Sequence, residues 1–147
     1  MIRLFIAVFL TFSFSLQSYG SLEGISPLTP DEVQTPGDLC TVDDPDFAEY
    51  RYLEDIAYCE RNVSYHQRAQ IYDLYNVPEE IRDQYTIDHL IPLSLGGSNE
   101  FENLWPEHKE VKALRPNLEN EVFYALNRGE ITQKKAIQII LEAKLNP

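Results

Sequence analysis

Three stretches of the chain repeat apolar side chains at helical intervals, and a fourth is nearly all apolar. After Ser64, an N-cap candidate, Ala69, Ile71 with Tyr72, and Leu74 with Tyr75 recur at three- and four-residue spacing, which predicts a helix ending before Pro78. Residues 85–95 read as a strand with Ile87, Leu90, Ile91, Leu93 and Leu95 apolar, and Gly96-Gly97-Ser98-Asn99 comes next as a turn. Residues 101–105 are the natural return strand. Val111, Leu114, Leu118, Val122 and Ala125 with Leu126 then share one helical face, and Pro116 inside it marks either a kink or the start of the regular helix. Gly129 ends that helix, and Thr132 caps a last one whose apolar face carries Ala136, Ile137, Ile140 and Leu141. The aromatic-rich stretch 43–61 fits a short helix or a pair of short strands. Residues 21–39, rich in Pro, Gly, Ser and Thr, fit an extended linker or arm.

The first twenty residues set the compartment. Arg3 precedes an apolar run from Leu4 to Leu16, and Ser18, Tyr19 and Gly20 form a small-residue exit, the pattern of a cleaved export signal over residues 1–20. The run is shorter than the ~20 residues a bilayer-spanning helix needs. The expectation is a secreted or periplasmic protein with no membrane anchor after signal removal, an arm at 21–39, and one domain at 40–147. In an oxidising compartment the two cysteines, Cys40 and Cys59, are most simply a disulfide. It would close a loop of ~20 residues, contribute roughly 3 kcal/mol, and tie the irregular N-terminal part to the body.

Charge changes the picture of any partner. The chain carries a net charge of −12, whereas nucleic-acid binders usually present a basic surface. The distribution is uneven: residues 21–100 hold four Arg and no Lys against seventeen acidic residues, and residues 101–147 hold seven of each sign. Substrate binding by the C-terminal part is expected to be weak, salt-dependent and poor in sequence readout.

Candidate chemistry concentrates in the predicted strand, glycine turn, return strand and helix, which carry Asp88 and His89, Asn103, and His108 at the helix entrance. The stretch YTIDHLIPLSLGGSNEFENLWPE, residues 85–107, resembles the HNH endonucleases, in particular an exported bacterial branch with DHLIPL, GGSN and NLWPE segments. The resemblance implies an α+β fold with a ββα-metal (HNH) core and flanking helices. It also implies a metal-dependent endonuclease that hydrolyses phosphodiester bonds of DNA, with RNA as a second substrate class, at low sequence specificity and leaving a 5′-phosphate. It places the general base on His89, a role suited to a free imidazole pKa of ~6.5. It assigns Asp88 to one divalent cation, whose hard carboxylate ligand favours Mg²⁺ or Mn²⁺ over Zn²⁺. Asn103 is expected to orient the connecting loop and His89 through its amide. Asp88 and His89 alternate on an ideal strand, so bringing both to one site calls for a local twist or bulge.

The chain departs from the family at the helix. The position of the usual metal-binding histidine is Lys112, and a protonated lysine cannot ligate a metal. His108, one turn earlier, is the preferred substitute, with Asn117 behind it. Lys109, Lys112 and Arg115 are expected to line the phosphate path, the alternative being a solvated helix face. His66 reads as a surface or partly buried residue, and Trp105 as a core anchor. The acidic charge and the missing ligand also fit a different class, a catalytically inactive HNH-like module that binds nucleic acid or protein.

Overall fold

The computed structural model describes residues 22–147, so the expected signal segment, residues 1–20, lies outside the described residues. Among the described residues the fold is mixed α+β, with two two-stranded sheets, each an antiparallel hairpin. Among the described residues no helix is long and apolar enough to cross a membrane.

The first hairpin resolves the ambiguity at 43–61 as strands β1 (Phe47–Arg51) and β2 (Ile56–Cys59). Tyr52 and Asp55 turn the chain with φ of 64° and 52°. Cys59, at the end of β2, is bonded to Cys40, with Cα atoms 5.8 Å apart, as expected from the cysteine count. The segment before it is an arm and not a free linker. Leu39 bridges Gly97, Gly37 N–H donates to Glu102 O, and the buried Thr35 hydroxyl donates to Leu104 O at 3.1 Å.

Helix α1 (Tyr65–Leu74) is capped by Ser64, whose hydroxyl accepts from Gln67 N–H. Its Ile71 packs with Val63, Ile87 and Leu104, covering one face of the second hairpin. That hairpin is β3 (Tyr85–His89) and β4 (Leu104–His108), in unbroken register with Asp88 opposite Trp105 and His89 opposite Leu104. Two boundaries differ from those expected. The strand ends at His89 instead of continuing to Leu95, because after one further in-register bond, Leu90 N–H to Asn103 O, Pro92 opens a 3-10 turn over Leu93–Leu95. Residues 101–103 form another 3-10 turn, so the return strand begins at Leu104 and runs through Pro106. On a two-stranded sheet every strand has a free edge, which is where proline is tolerated.

The region containing Pro116 is broken, not kinked: α2 (Lys109–Ala113) and α3 (Leu118–Asn127) are separate helices. Thr132 caps α4 (Gln133–Leu145) through its hydroxyl, as expected. Val122, Leu126, Ala136 and Ile140 from α3 and α4 pack on Ile56, Ile91 and Leu95, a second apolar cluster. Helix α1 thus covers one face of the second hairpin, α3 and α4 pack on β2 and on the loop that follows β3, and Trp105 is fully buried.

Candidate functional site

The turn after β3 is held by one side chain. Asn103, fully buried, accepts from Ile91 N–H at 2.8 Å and donates to Ile91 O at 3.0 Å and Ser98 O at 2.9 Å. Gly97 is required beneath it, since a Cβ there would sit 1.9 Å from Ile91 O. Gly96, with φ of 88°, ends the 3-10 turn in the left-handed conformation that glycine adopts without strain. Asn103 therefore orients the loop, as expected, but its amide bonds do not reach His89.

Asn99 does that work. Its amide NH₂ donates to Asp46 Oδ2 at 3.0 Å and Glu60 O at 2.7 Å, both pure acceptors, so its Oδ1 must face the imidazole. That oxygen lies 3.0 Å from His89 Nε2, which accordingly carries the proton. Nδ1 is left with its lone pair, 3.3 Å from an Arg61 guanidinium nitrogen, and Arg61 is anchored by donation to Ile87 O at 3.0 Å. Burial lowers the His89 pKa below its ordinary 6.5, with the nearby Arg61 cation adding to the shift and the Asn99 bond opposing it. His89 is consequently a neutral imidazole with an unprotonated Nδ1 at neutral pH.

Asp88 and His89 both border a cleft of about 210 Å³, with Arg61, Ser94 and Glu119 on its walls. No bulge brings them together, contrary to expectation. His89 is the last residue of β3, and where the sheet stops neighbouring side chains are free to converge on one opening.

Asp88 is buried and salt-bridged on both oxygens. Oδ1 accepts from Lys112 Nζ at 2.5 Å and Oδ2 from Lys144 Nζ at 2.6 Å. Burial alone would raise its pKa, but Lys144 and Lys112 outweigh it and bring the carboxyl down to about 2. Lys144 is 1% exposed and also donates to His89 O at 2.7 Å, while Glu119 Oε1 lies 2.9 Å away. Glu107, buried on β4, pairs with Arg115 through Oε1. Its Oε2 lies 3.3 Å from Lys112 Nζ but makes no hydrogen bond. Burial and the neighbouring Asp88 push the Glu107 pKa up against the pull of three cations. Glu107, Lys112, Arg115, Glu119 and Lys144 line a separate cavity of about 170 Å³ that shares Glu119 with the cleft.

The remaining expected site residues lie elsewhere. His108 faces Tyr85 across the hairpin, three residues along from the level of Asp88, or about 10 Å at ~3.4 Å per residue. Its Nδ1 accepts from Glu110 N–H as the cap of α2, and its Nε2 faces Gln84, so it is not brought to Asp88. Lys109 Nζ donates to Asp83 O at 2.6 Å, away from the cleft. Arg115 is a strut, joining Glu107 to Ala143 O, and is not available to line a phosphate path. Of the three basic residues expected there, Lys112 alone reaches Asp88. His66 is exposed, as expected.

Sequence reasoning missed Arg61, Asn99, Glu107, Glu119 and Lys144. One signal was available for Lys144: it falls one turn after Ile140 on the apolar face of α4, and a lysine there needs a buried anion. Arg61 and Asn99 carry no such pattern.

A potential metal-ligand cluster exists among the described residues, since ligand atoms of Cys40, Asp44 and Cys59 lie within 4.8 Å of one another. Its sulfurs are bonded to each other, however, and only thiolates ligate metals strongly, so this grouping could serve a cation only in reduced chain. Among the described residues no such group includes Asp88. The donors around Asp88 do not fit a resident Mg²⁺ or Mn²⁺ ion, because both carboxylate oxygens are held by ammoniums and His108 is out of reach. Comparisons with protein-family models, with curated proteins and with solved structures give no match for this chain.

Proposed function

We propose that the protein is an HNH-like ββα nuclease, hydrolysing phosphodiester bonds of nucleic acid in the cleft beside Asp88 and His89. The observation that carries this reading is the imidazole of His89, whose tautomer is fixed by Asn99 so that an unprotonated Nδ1 stands beside Arg61 at a cleft that Asp88 also borders. In the reaction, a water entering the cleft replaces the long Arg61 contact at Nδ1 and gives its proton to that nitrogen. The resulting hydroxide attacks phosphorus, the phosphorus–oxygen bond to the leaving nucleoside breaks, and the leaving oxygen takes a proton from solvent. Arg61, exposed at the mouth, binds a phosphate oxygen. Asn103 and Gly97 keep the loop from shifting His89, since small misplacements of a base cost rate. The strand–loop–strand–helix order of β3, β4 and α2 supports the same assignment.

Plasmid nicking by purified protein in Mg²⁺, Mn²⁺ and chelator tests it. His89→Ala should fold normally and cleave roughly 10² to 10⁴-fold more slowly. Equal rates for the two proteins would remove His89 from the chemistry. DNA that binds without being cut would instead support the inactive binding module.

A further inference from the structure

Asp88 is a buried anion with a separate cation on each oxygen, and the two cations differ in freedom. Lys144 bonds to Asp88 Oδ2 and His89 O, pairs with Glu119 Oε1 at 2.9 Å, and is 1% exposed, so it is closed to a ligand arriving from solvent. Lys112 is different. One N–H bonds to Asp88 Oδ1, the Glu107 contact at 3.3 Å lacks hydrogen-bond geometry, and 46% of the side chain is exposed. Its ammonium is therefore fixed in place by a buried carboxylate while donors remain for a group arriving from solvent.

The charge balance points the same way. Asp88, Glu107 and Glu119 are matched by Lys112, Lys144 and Arg115, so the cluster is close to neutral without any added ion. A divalent cation entering at Asp88 would have to expel Lys112 from its short contact and would find no surplus negative charge to hold it.

We propose that Lys112 is the cation of this site: its ammonium, in the cavity that adjoins the cleft at Glu119 and tethered to Asp88 of the cleft wall, binds a phosphodiester oxygen of the substrate directly, in the place that a divalent metal would take. The hydrolytic step rests on the nuclease reading, whereas phosphate binding by Lys112 does not need it. Arg61 and Lys112 then flank Asp88 and His89, one cation reaching in from the β2–α1 connection and the other from α2. Lys112 is a point charge that Asp88 holds before and after the reaction, and hydrolysis proceeds with chelator present.

The test uses isotope-labelled protein with its disulfide intact, stripped with chelator, and the variants Lys112→Ala and Lys112→Gln, whose folding is checked by their amide spectra. Inorganic phosphate should shift amide signals around residues 88, 89 and 112, with affinity falling about tenfold or more in both variants. Substoichiometric Mn²⁺ should leave the signals of Asp88 and His89 no broader than those of exposed acidic residues. The wild type should cut plasmid equally in EDTA and in Mg²⁺, and Lys112→Ala should cut about 100-fold more slowly in EDTA. Unchanged phosphate affinity in the variants, selective Mn²⁺ broadening at Asp88 and His89, or cleavage only with added metal would each overturn the proposal. Metal-dependent cleavage would leave the nuclease reading standing. Absence of cleavage under every condition would remove that reading, and the phosphate and Mn²⁺ titrations would still decide whether Lys112 is the cation.

Discussion

The two hairpins of this protein are built from the same topology and stabilised by opposite means. In the first, the middle of β1 is exposed, Arg51 packs over the Tyr58 ring, and a covalent bond between Cys40 and Cys59 holds the end. In the second, every β4 side chain and four of five in β3 are buried, and the stabilising groups include paired charges: Asp88 with Lys144 and Lys112, and Glu107 with Arg115. A disulfide acts mainly by restricting the unfolded chain, so its contribution does not depend on which charges surround it. A buried ion pair works only while each partner stays in place, because a lone buried charge is strongly unfavourable. The second arrangement suits a site that must hold His89 and Asp88 still, and it is the more fragile one.

Lys144→Met should break that hairpin most severely. It strips Asp88 Oδ2 and His89 O of their donor at once, and a loss of about 3–5 kcal/mol in denaturant unfolding is expected. A loss under about 1 kcal/mol would show that the cluster is decoration. The matching change in the first hairpin, Cys40→Ser with Cys59→Ser, should cost about 3 kcal/mol while leaving the amide signals of residues 85–88 in β3 and 104–108 in β4 where they are. Displacement of those signals would mean that the hairpins are not independent.

A finer test separates positioning from stability. Asn99→Ala frees the His89 tautomer, so cleavage should fall about tenfold or more. Its bond raises the His89 pKa, so removing it should move the acid limb of the pH–rate profile to lower pH. The wild-type limb should itself lie below the ordinary imidazole value of 6.5, since only neutral His89 accepts a proton. An Asn99→Ala profile shifted upward would contradict the assigned hydrogen bond.

The smallest effect is on acid stability. The Asp88 carboxyl falls from 3.8 to about 2 on folding, so its contribution is present above pH 3.8 and is lost as pH falls from there towards 2. Unfolding midpoints of Asp88→Asn should therefore approach those of the wild type over that interval. A gap that stays constant down to about pH 2 would show that Asp88 is not ionised in the fold.

Local pattern alone determined a good part of this protein. Ser64 and Thr132 as caps, the helices they open, the break near Pro116, the glycine turn and the Cys40–Cys59 bond were all legible, because each depends on a few neighbouring residues or, for the bond, on a count of two. The pair Asp88 and His89 stood out, as did the loop-holding task of Asn103. The chain did not disclose that His89 is oriented by Asn99, that Arg61 stands beside it, or that His108 is spent capping α2. Nor did it disclose that Asp88 is met by lysines from two different helices. Those facts depend on contacts between residues as far apart as 56 positions, and on which of several possible partners each charge meets once burial forbids it to stay alone. Periodicity says which face of an element is covered. Only the packed chain decides which polar group waits on the other side.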